Sequence, residues 1–219
     1  MPAINPNILI WARETAGLSI DDAAEKLGIA EARGVSPLDR LRAYESGEQP
    51  LSRTTLVKMS KIYRRSLLTF YLDAPPRKGD RGEDFRTLPS QHTADEPLVD
   101  ALLRDIRARQ SMVRTLLEED DDAEALPFIG SMSVSAGVPQ VLSSIQSTID
   151  LDLATFRSQG TPEAAFTYLR SRVEAVGVFV LLIGNLGSHH TNLDVSAFRG
   201  FALADPLAPF VVINDQDAT

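Results

Sequence analysis

Near the end of the chain stands PFVVIN (209–214), four apolar residues held between a proline and an asparagine. A continuous apolar run of this length, closed by a polar residue, is the signature of a short buried strand. Two earlier stretches share its character. VFVLLIG (178–184) is rich in β-branched and aliphatic residues, and AFRGFALA (197–204) alternates loosely. Upstream of residue 178 the apolar residues recur with the period of helices. A chain that runs through helices first and strands last belongs to the α+β class. The expected fold is an all-α N-terminal domain followed by a helix-rich α+β domain with a small C-terminal sheet.

The helical part divides at its caps. Pro6 suits the first turn of a helix running to Ala16, with Gly17 as its stop and Ile8, Leu9, Trp11 and Ala12 as its apolar side. Ser19 caps a second helix, SIDDAAEKLG, with Asp21 and Asp22 in its first turn and Gly28 at its end. Ala23, Ala24 and Leu27 form its inward stripe. Ser36-Pro37 opens a third helix through LDRLRAYES to Gly47. Ser52 caps a fourth, RTTLVKMSKIYR, with Leu56, Met59 and Ile62 or Tyr63 facing inward, and SLLTFYL makes a fifth short one. DAPPRKGDRGEDF (73–85) combines prolines, glycines and charges, and reads as a linker with nothing to bury.

Beyond it a long helix is expected from about Pro97 to Glu119, with Leu98, Ala101, Leu102, Ile106, Met112, Val113 and Leu116 at helical spacing. EEDDDAE (118–124) reads as a solvated helix end and loop. Shorter helices follow at Pro139–Ile149, Leu153–Ser158 and Pro162–Val176. The chain thus divides into a helical domain (1–72), a linker (73–96) and an α+β domain (97–219).

Composition narrows the function classes. The 219 residues are 43% hydrophobic, enough for one large or two small cores. With no cysteine, disulfide frameworks, thiolate chemistry and cysteine metal sites are excluded. No run approaches the length of a membrane span and no signal pattern opens the chain, so a cytoplasmic protein without membrane contact is expected. The net charge of -8 is uneven. Residues 1–72 carry 10 basic against 8 acidic side chains, and residues 73–219 carry 12 against 22. The segment from Arg40 to Arg65 is the most basic, with seven cations against Glu45 and Glu48. A basic segment in an acidic chain points to a polyanion partner for that segment alone, or to ordinary solvated helix faces.

Other motifs carry less. GNLG (184–187) follows a strand but lacks the third glycine of a dinucleotide fingerprint, and reads as a plain turn. Asp194 and Asp205 form a carboxylate pair only if the fold brings them together. The arginines at 104, 107, 109 and 114 are interleaved with Asp100, Asp105 and Glu118, which makes an ion-paired solvated face. Of the three histidines, His92 falls in the linker region. His189 and His190 are adjacent, point apart on extended backbone, and belong to a solvated connection.

Two resemblances emerge from these motifs. GLSIDDAAEKLG (17–28) resembles the second helix of the phage-repressor-like (XRE) helix-turn-helix family. AYESGEQP (43–50) is similar to the stretch that closes its third helix, and LSRTTLVKMSKIY to its fourth. IAEARGVSP stands where that family makes its sharp turn, and Gly28 to Tyr44 is longer than usual there. The resemblance implies a third helix lying in the major groove. Ser36, Arg40 and Arg42 would then approach the bases, Arg40 reading guanine bidentately, while Arg53 or Lys58 meets phosphates. Domains of this family commonly dimerise, so a homodimer is one expectation.

The second resemblance spans nearly the whole chain. IYRRSLLTFYL (62–72), DFRTLP (84–89) and FRGFALADPLAPFVVIND (198–215) together look like the XRE-fused metallopeptidases of the ImmA/IrrE type. In that family the helix after the last of these carries H-E-x-x-H, which binds zinc. This chain holds no such motif. The resemblance therefore implies no catalytic residue and no cofactor here, zinc being expected only of an intact parent. It further implies a chain that stops before the zinc helix, with Asp215 to Asp217 as that helix's entry. Apolar surface around Phe210, Val212 and Ile213 would then lie exposed, or be covered by another copy of the chain. Arg199, Gly200, Phe201 and Ala202 would form a strand along which a substrate segment aligns. Two functional expectations follow. One is a DNA-binding regulator joined to the non-catalytic part of such a peptidase, in repressor cleavage, stress response, mobile-element control or a toxin–antitoxin pair. The other is an interaction module that binds a repressor or toxin protein without DNA binding or catalysis.

Overall fold

The computed structural model describes residues 4–76, 96–120, 123–187 and 191–217. These residues hold eight α-helices followed by one three-stranded sheet. The chain divides into two compact units, residues 1–80 with 92–101, and residues 81–91 with 102–219.

The first unit contains α1 (Pro6–Thr15), α2 (Ile20–Leu27), α3 (Pro37–Glu45), α4 (Arg53–Ile62) and a short 3-10 helix at Leu67–Tyr71. The serines predicted as caps act as caps. Ser19, Ser36 and Ser52 each accept the N–H three residues on, from Asp22, Asp39 and Thr55, all at 3.1 Å. Each thereby satisfies a backbone donor that the helix itself leaves unpaired. Gly28 closes α2 in the left-handed conformation, at φ 62°. The apolar stripes converge on one core built from Ile8, Leu9 and Ala12 of α1, Ala23, Ala24 and Leu27 of α2, Leu41 and Tyr44 of α3, Leu56 and Met59 of α4, and Tyr63 and Phe70. Tyr63, rather than Ile62, is the fully inward residue at the end of α4, 1% exposed.

Two polar contacts tie this core. The Arg13 guanidinium grips the buried Glu45 carboxylate through Nε (2.7 Å) and Nη2 (3.2 Å) and donates from Nη1 to the Leu18 carbonyl (3.0 Å). The bond to Glu45 holds the guanidinium pKa above its ordinary value despite burial. Arg65 lies 4.3 Å over the Trp11 ring and donates to the Thr15 hydroxyl.

The segment between α2 and α3 is not a plain turn. Ala32 and Val35 exchange both backbone hydrogen bonds (3.3 and 3.0 Å), with Arg33 at φ 56° and Gly34 at φ 74° between them. Two successive left-handed residues make a tight hairpin of the primed type. The extra length between Gly28 and Tyr44 is taken up by this small projection.

α5 (Glu96–Glu118) begins in the first unit and continues into the second. In the second unit follow α6 (Val138–Thr148), α7 (Leu153–Arg157) and α8 (Pro162–Glu174), then β1 (Phe179–Leu182), β2 (Gly200–Leu203) and β3 (Phe210–Ile213). The strand order is β1-β3-β2, with β1 parallel and β2 antiparallel to β3. The last strand is therefore the middle one. This overturns the expectation that the surface around β3 is exposed or covered by another copy: within the one chain Phe210 is 3% and Val212 0% exposed, and Ile213 is half-buried. The reason is the pairing. β3 has a strand on each side, and Phe210 stacks on Phe179 of β1 at 5.0 Å. Gln110 of α5 donates to the carbonyls of Leu203 (3.0 Å) and Ala208 (2.8 Å), which binds the helix to the β2–β3 connection.

Asn214 closes β3 as a buried polar plug. Its Nδ2 donates to the carbonyls of Leu193 and Phe198, both at 3.0 Å, and its Oδ1 accepts from the Gln216 N–H. Gly184 permits this close approach, because a Cβ there would lie 2.5 Å from the Asn214 Oδ1. Asp215–Asp217 form a 3-10 turn. The helices α6, α7 and α8 bury none of their residues. No helix among the described residues is long and apolar enough to cross a membrane.

Candidate nucleic-acid interface

The residues singled out in the first unit lie on two helices. Ser36 is the N-cap of α3, and its hydroxyl also donates to Asp39 Oδ2 at 2.7 Å. That bond, with the Arg42 guanidinium behind it, holds the Asp39 carboxyl below its usual range. Arg42 pairs with Asp39 at 3.1 Å, and both side chains are 59% exposed. Arg40 donates to the Ala30 carbonyl and, at 3.3 Å, to the Tyr44 hydroxyl. Both arginines of α3 thus have partners within the chain. Arg40 pins the hairpin to the helix, and Arg42 shares its charge with a neighbour.

On α4 the arrangement differs. Arg53, Thr54, Val57, Lys58 and Lys61 line one open groove of about 330 Å³. Their spacing, near multiples of a helical turn, places them along one side of the helix. Lys58 Nζ lies 3.3 Å from the Leu27 carbonyl, at the C-terminal end of α2, where unpaired carbonyls concentrate partial negative charge. Among the described residues no carboxylate pairs with Arg53, Lys58 or Lys61. Lys61 and Thr54 are not among the residues that the sequence reading assigns to phosphate contact. Their signal is nonetheless present in the sequence, since Lys61 stands two helical turns beyond Arg53.

In the second unit Arg199 immediately precedes β2, and Gly200, Phe201 and Ala202 lie on it. The Asn214 N–H donates to the Arg199 carbonyl at 2.9 Å, which sets the phase of the pairing. Arg199 and Phe201 direct their backbone groups to β3, and Gly200 and Ala202 direct theirs to the outer edge. The Phe201 side chain is buried. The opposite edge of the sheet is guarded, because Arg170 of α8 donates to the Val180 carbonyl at 3.1 Å. Asp205 is part of a corner instead of a carboxylate pair with Asp194. Burial would raise its pKa, but the N–H groups of Ala208 and Leu207 and the Arg114 guanidinium outweigh this and leave it below the usual range. GNLG forms a turn, with the Gly187 N–H bonded to Asn185 Oδ1 at 2.8 Å.

Zinc finds no fitting donor set among the described residues. No group of three or more His, Asp or Glu side chains there is placed to hold a metal ion. His92, His189 and His190 lie outside the described residues. No family model, no curated protein and no solved structure matches the chain.

Proposed function

We propose that the chain is a DNA-binding regulator whose first unit is an XRE-like helix-turn-helix domain. In this reading residues 97–219 are related to the non-catalytic part of ImmA/IrrE-type peptidases. The observation that carries the proposal is the setting of α3. It is a capped helix held by a bundle core, and its outer side carries exposed Asp39 and Arg42. It leads into the segment from Arg40 to Arg65, which holds seven cations against Glu45 and Glu48 in an acidic chain. A capped helix with an exposed outer side, near cations that no carboxylate among the described residues pairs, suits entry into a major groove with phosphate contacts alongside. The resemblance supplies the role, control of a repressor in stress response or mobile-element regulation.

The test is fluorescence anisotropy with duplexes from the chain's own upstream region, against a scrambled duplex of equal length. Salt-sensitive binding that favours the upstream sequence is expected. Arg42→Ala is expected to reduce that preference by roughly tenfold or more, the range of a lost base contact. Absence of binding at low salt removes the reading.

A second reading, a protein-interaction module for a repressor or toxin, is favoured by α6. Val138, Leu142 and Ile145 are 79%, 51% and 50% exposed at helical spacing, on a helix without a charged residue. Exposed apolar stripes of this kind commonly mark protein contact. Retention of a partner by a chain that binds no duplex would decide for it.

A further inference from the structure

We infer that Arg33, at the tip of the hairpin between α2 and α3, reads a guanine in the major groove just beyond the bases met by α3. The inference rests on the duplex-binding reading and deepens it by naming a specificity-determining residue. Residues 31–35 are exposed, and the two backbone bonds between Ala32 and Val35 close the hairpin. Its central residues, Arg33 at φ 56° and Gly34 at φ 74°, take the left-handed conformation of a primed turn. Such turns favour Asn-Gly, and the Cβ of an arginine is costly in the first of those places. Nothing in the folded chain offsets that cost: among the described residues no hydrogen bond or ion pair engages the Arg33 side chain. Backbone strain of this kind clusters where a side chain is held ready for a ligand. The hairpin is also fixed to the start of α3. Val35 adjoins Ser36, the N-cap of that helix, and Arg40 donates to the Ala30 carbonyl on the other arm. Arg33 is three residues from Ser36, so its Cα lies within about 11 Å of the cap. In a helix-turn-helix the N-terminal part of the second helix meets the base edges. At about 3.4 Å per step of one strand, that reach is about three base steps. A free guanidinium presents its donors in a planar fork, which guanine O6 and N7 accept side by side. Arg40 and Arg42, by contrast, are already bonded within the chain.

The experiment uses the full chain, the upstream and scrambled duplexes, and upstream duplexes with single base pairs exchanged one at a time, all followed by fluorescence anisotropy. Arg33→Asn places the favoured Asn-Gly pair in the turn, so its thermal midpoint is expected to equal or exceed that of wild type. Its preference for the upstream over the scrambled duplex is expected to fall roughly tenfold or more, the range of a lost bidentate contact. It is also expected to become indifferent to exchange of one G·C pair to which Arg42→Ala still responds. Arg33→Lys keeps the charge without the planar fork and is expected to leave the preference lost. Arg109, ion-paired to Asp105 on α5, is the control for loss of charge alone, and Arg109→Ala is expected to match wild type. An unchanged preference in Arg33→Asn overturns the inference and leaves the proposed function standing. Equal weakening on both duplexes, recovered by Arg33→Lys, makes Arg33 a phosphate contact and overturns the inference in the same way. A lowered thermal midpoint together with lost binding in Arg33→Asn makes Arg33 a structural residue, with the same consequence. Absence of duplex binding by the wild type removes the DNA-binding reading and the inference together.

Discussion

Glu45 and Tyr63 lie in the same core and have opposite electrostatic situations. Glu45 is buried but held by two hydrogen bonds from Arg13. The Tyr63 hydroxyl is buried and meets no hydrogen-bond partner among the described residues. Burial, reinforced by the Glu45 charge, raises its pKa well above the ordinary phenol value. Glu45→Ala would leave the Arg13 guanidinium buried without its partner and is expected to cost about 3 kcal/mol. Tyr63→Phe removes an unsatisfied group without opening a cavity and is expected to be neutral or mildly stabilising. Urea unfolding of the two variants, side by side, checks both directions. Of this pair the sequence betrays only part. Tyr63 is one of two alternatives for the inward position, and Glu45 reads merely as a negative charge in a basic stretch. Its burial depends on Arg13, 32 residues away, and no local pattern announces such a partner.

At the scale of elements, the serine caps are legible because the signal is local. A hydroxyl residue precedes an apolar-periodic run, and Asp or Thr follows three positions later. The caps also carry a pH dependence. Hydrogen bonds from the Ser19 and Ser36 hydroxyls hold the Asp22 and Asp39 carboxyls below their usual range. A carboxyl with a depressed folded pKa stabilises fully above its unfolded value, about 3.9 for Asp, and loses this as pH falls through the folded value. Thermal stability is therefore expected to hold from neutral pH down to about 5 and to decline below about 4. Ser19→Ala/Ser36→Ala should flatten that acid decline in a calorimetric series. A decline equally steep in the double variant would count against the caps as its source. The hairpin at 32–35 and the exposure of α6 are not legible. Arg33-Gly34 is a weaker turn signal than Asn-Gly, and an apolar stripe reads the same whether its neighbour is present or not.

At the scale of the molecule, each unit has its own core, and Trp11, the only tryptophan, belongs to the first. Trp fluorescence should thus follow the first unit, while far-UV circular dichroism follows both. Asn214→Ala strips the carbonyls of Leu193 and Phe198 of their shared donor in the second unit. It is expected to destabilise by about 2 kcal/mol, moving the dichroism transition in urea and leaving the fluorescence transition in place. Coincident shifts of both signals would show the units unfolding as one. The order of helices before strands can be read along the chain, since each element has its own period. The order of strands within the sheet cannot, because pairing is a property of residues far apart in sequence.

That pairing also dictates a sequence of events in time. β1 and β2 emerge from the ribosome before β3, yet they do not bond to each other, and each pairs only with β3. During synthesis the first unit has all its helices available early, while both ladders of the sheet wait for residues 210–213. Until then β1 and β2 are unpaired edges in a growing chain, open to strands of neighbouring chains or to a chaperone, and the sheet closes only when its middle strand arrives.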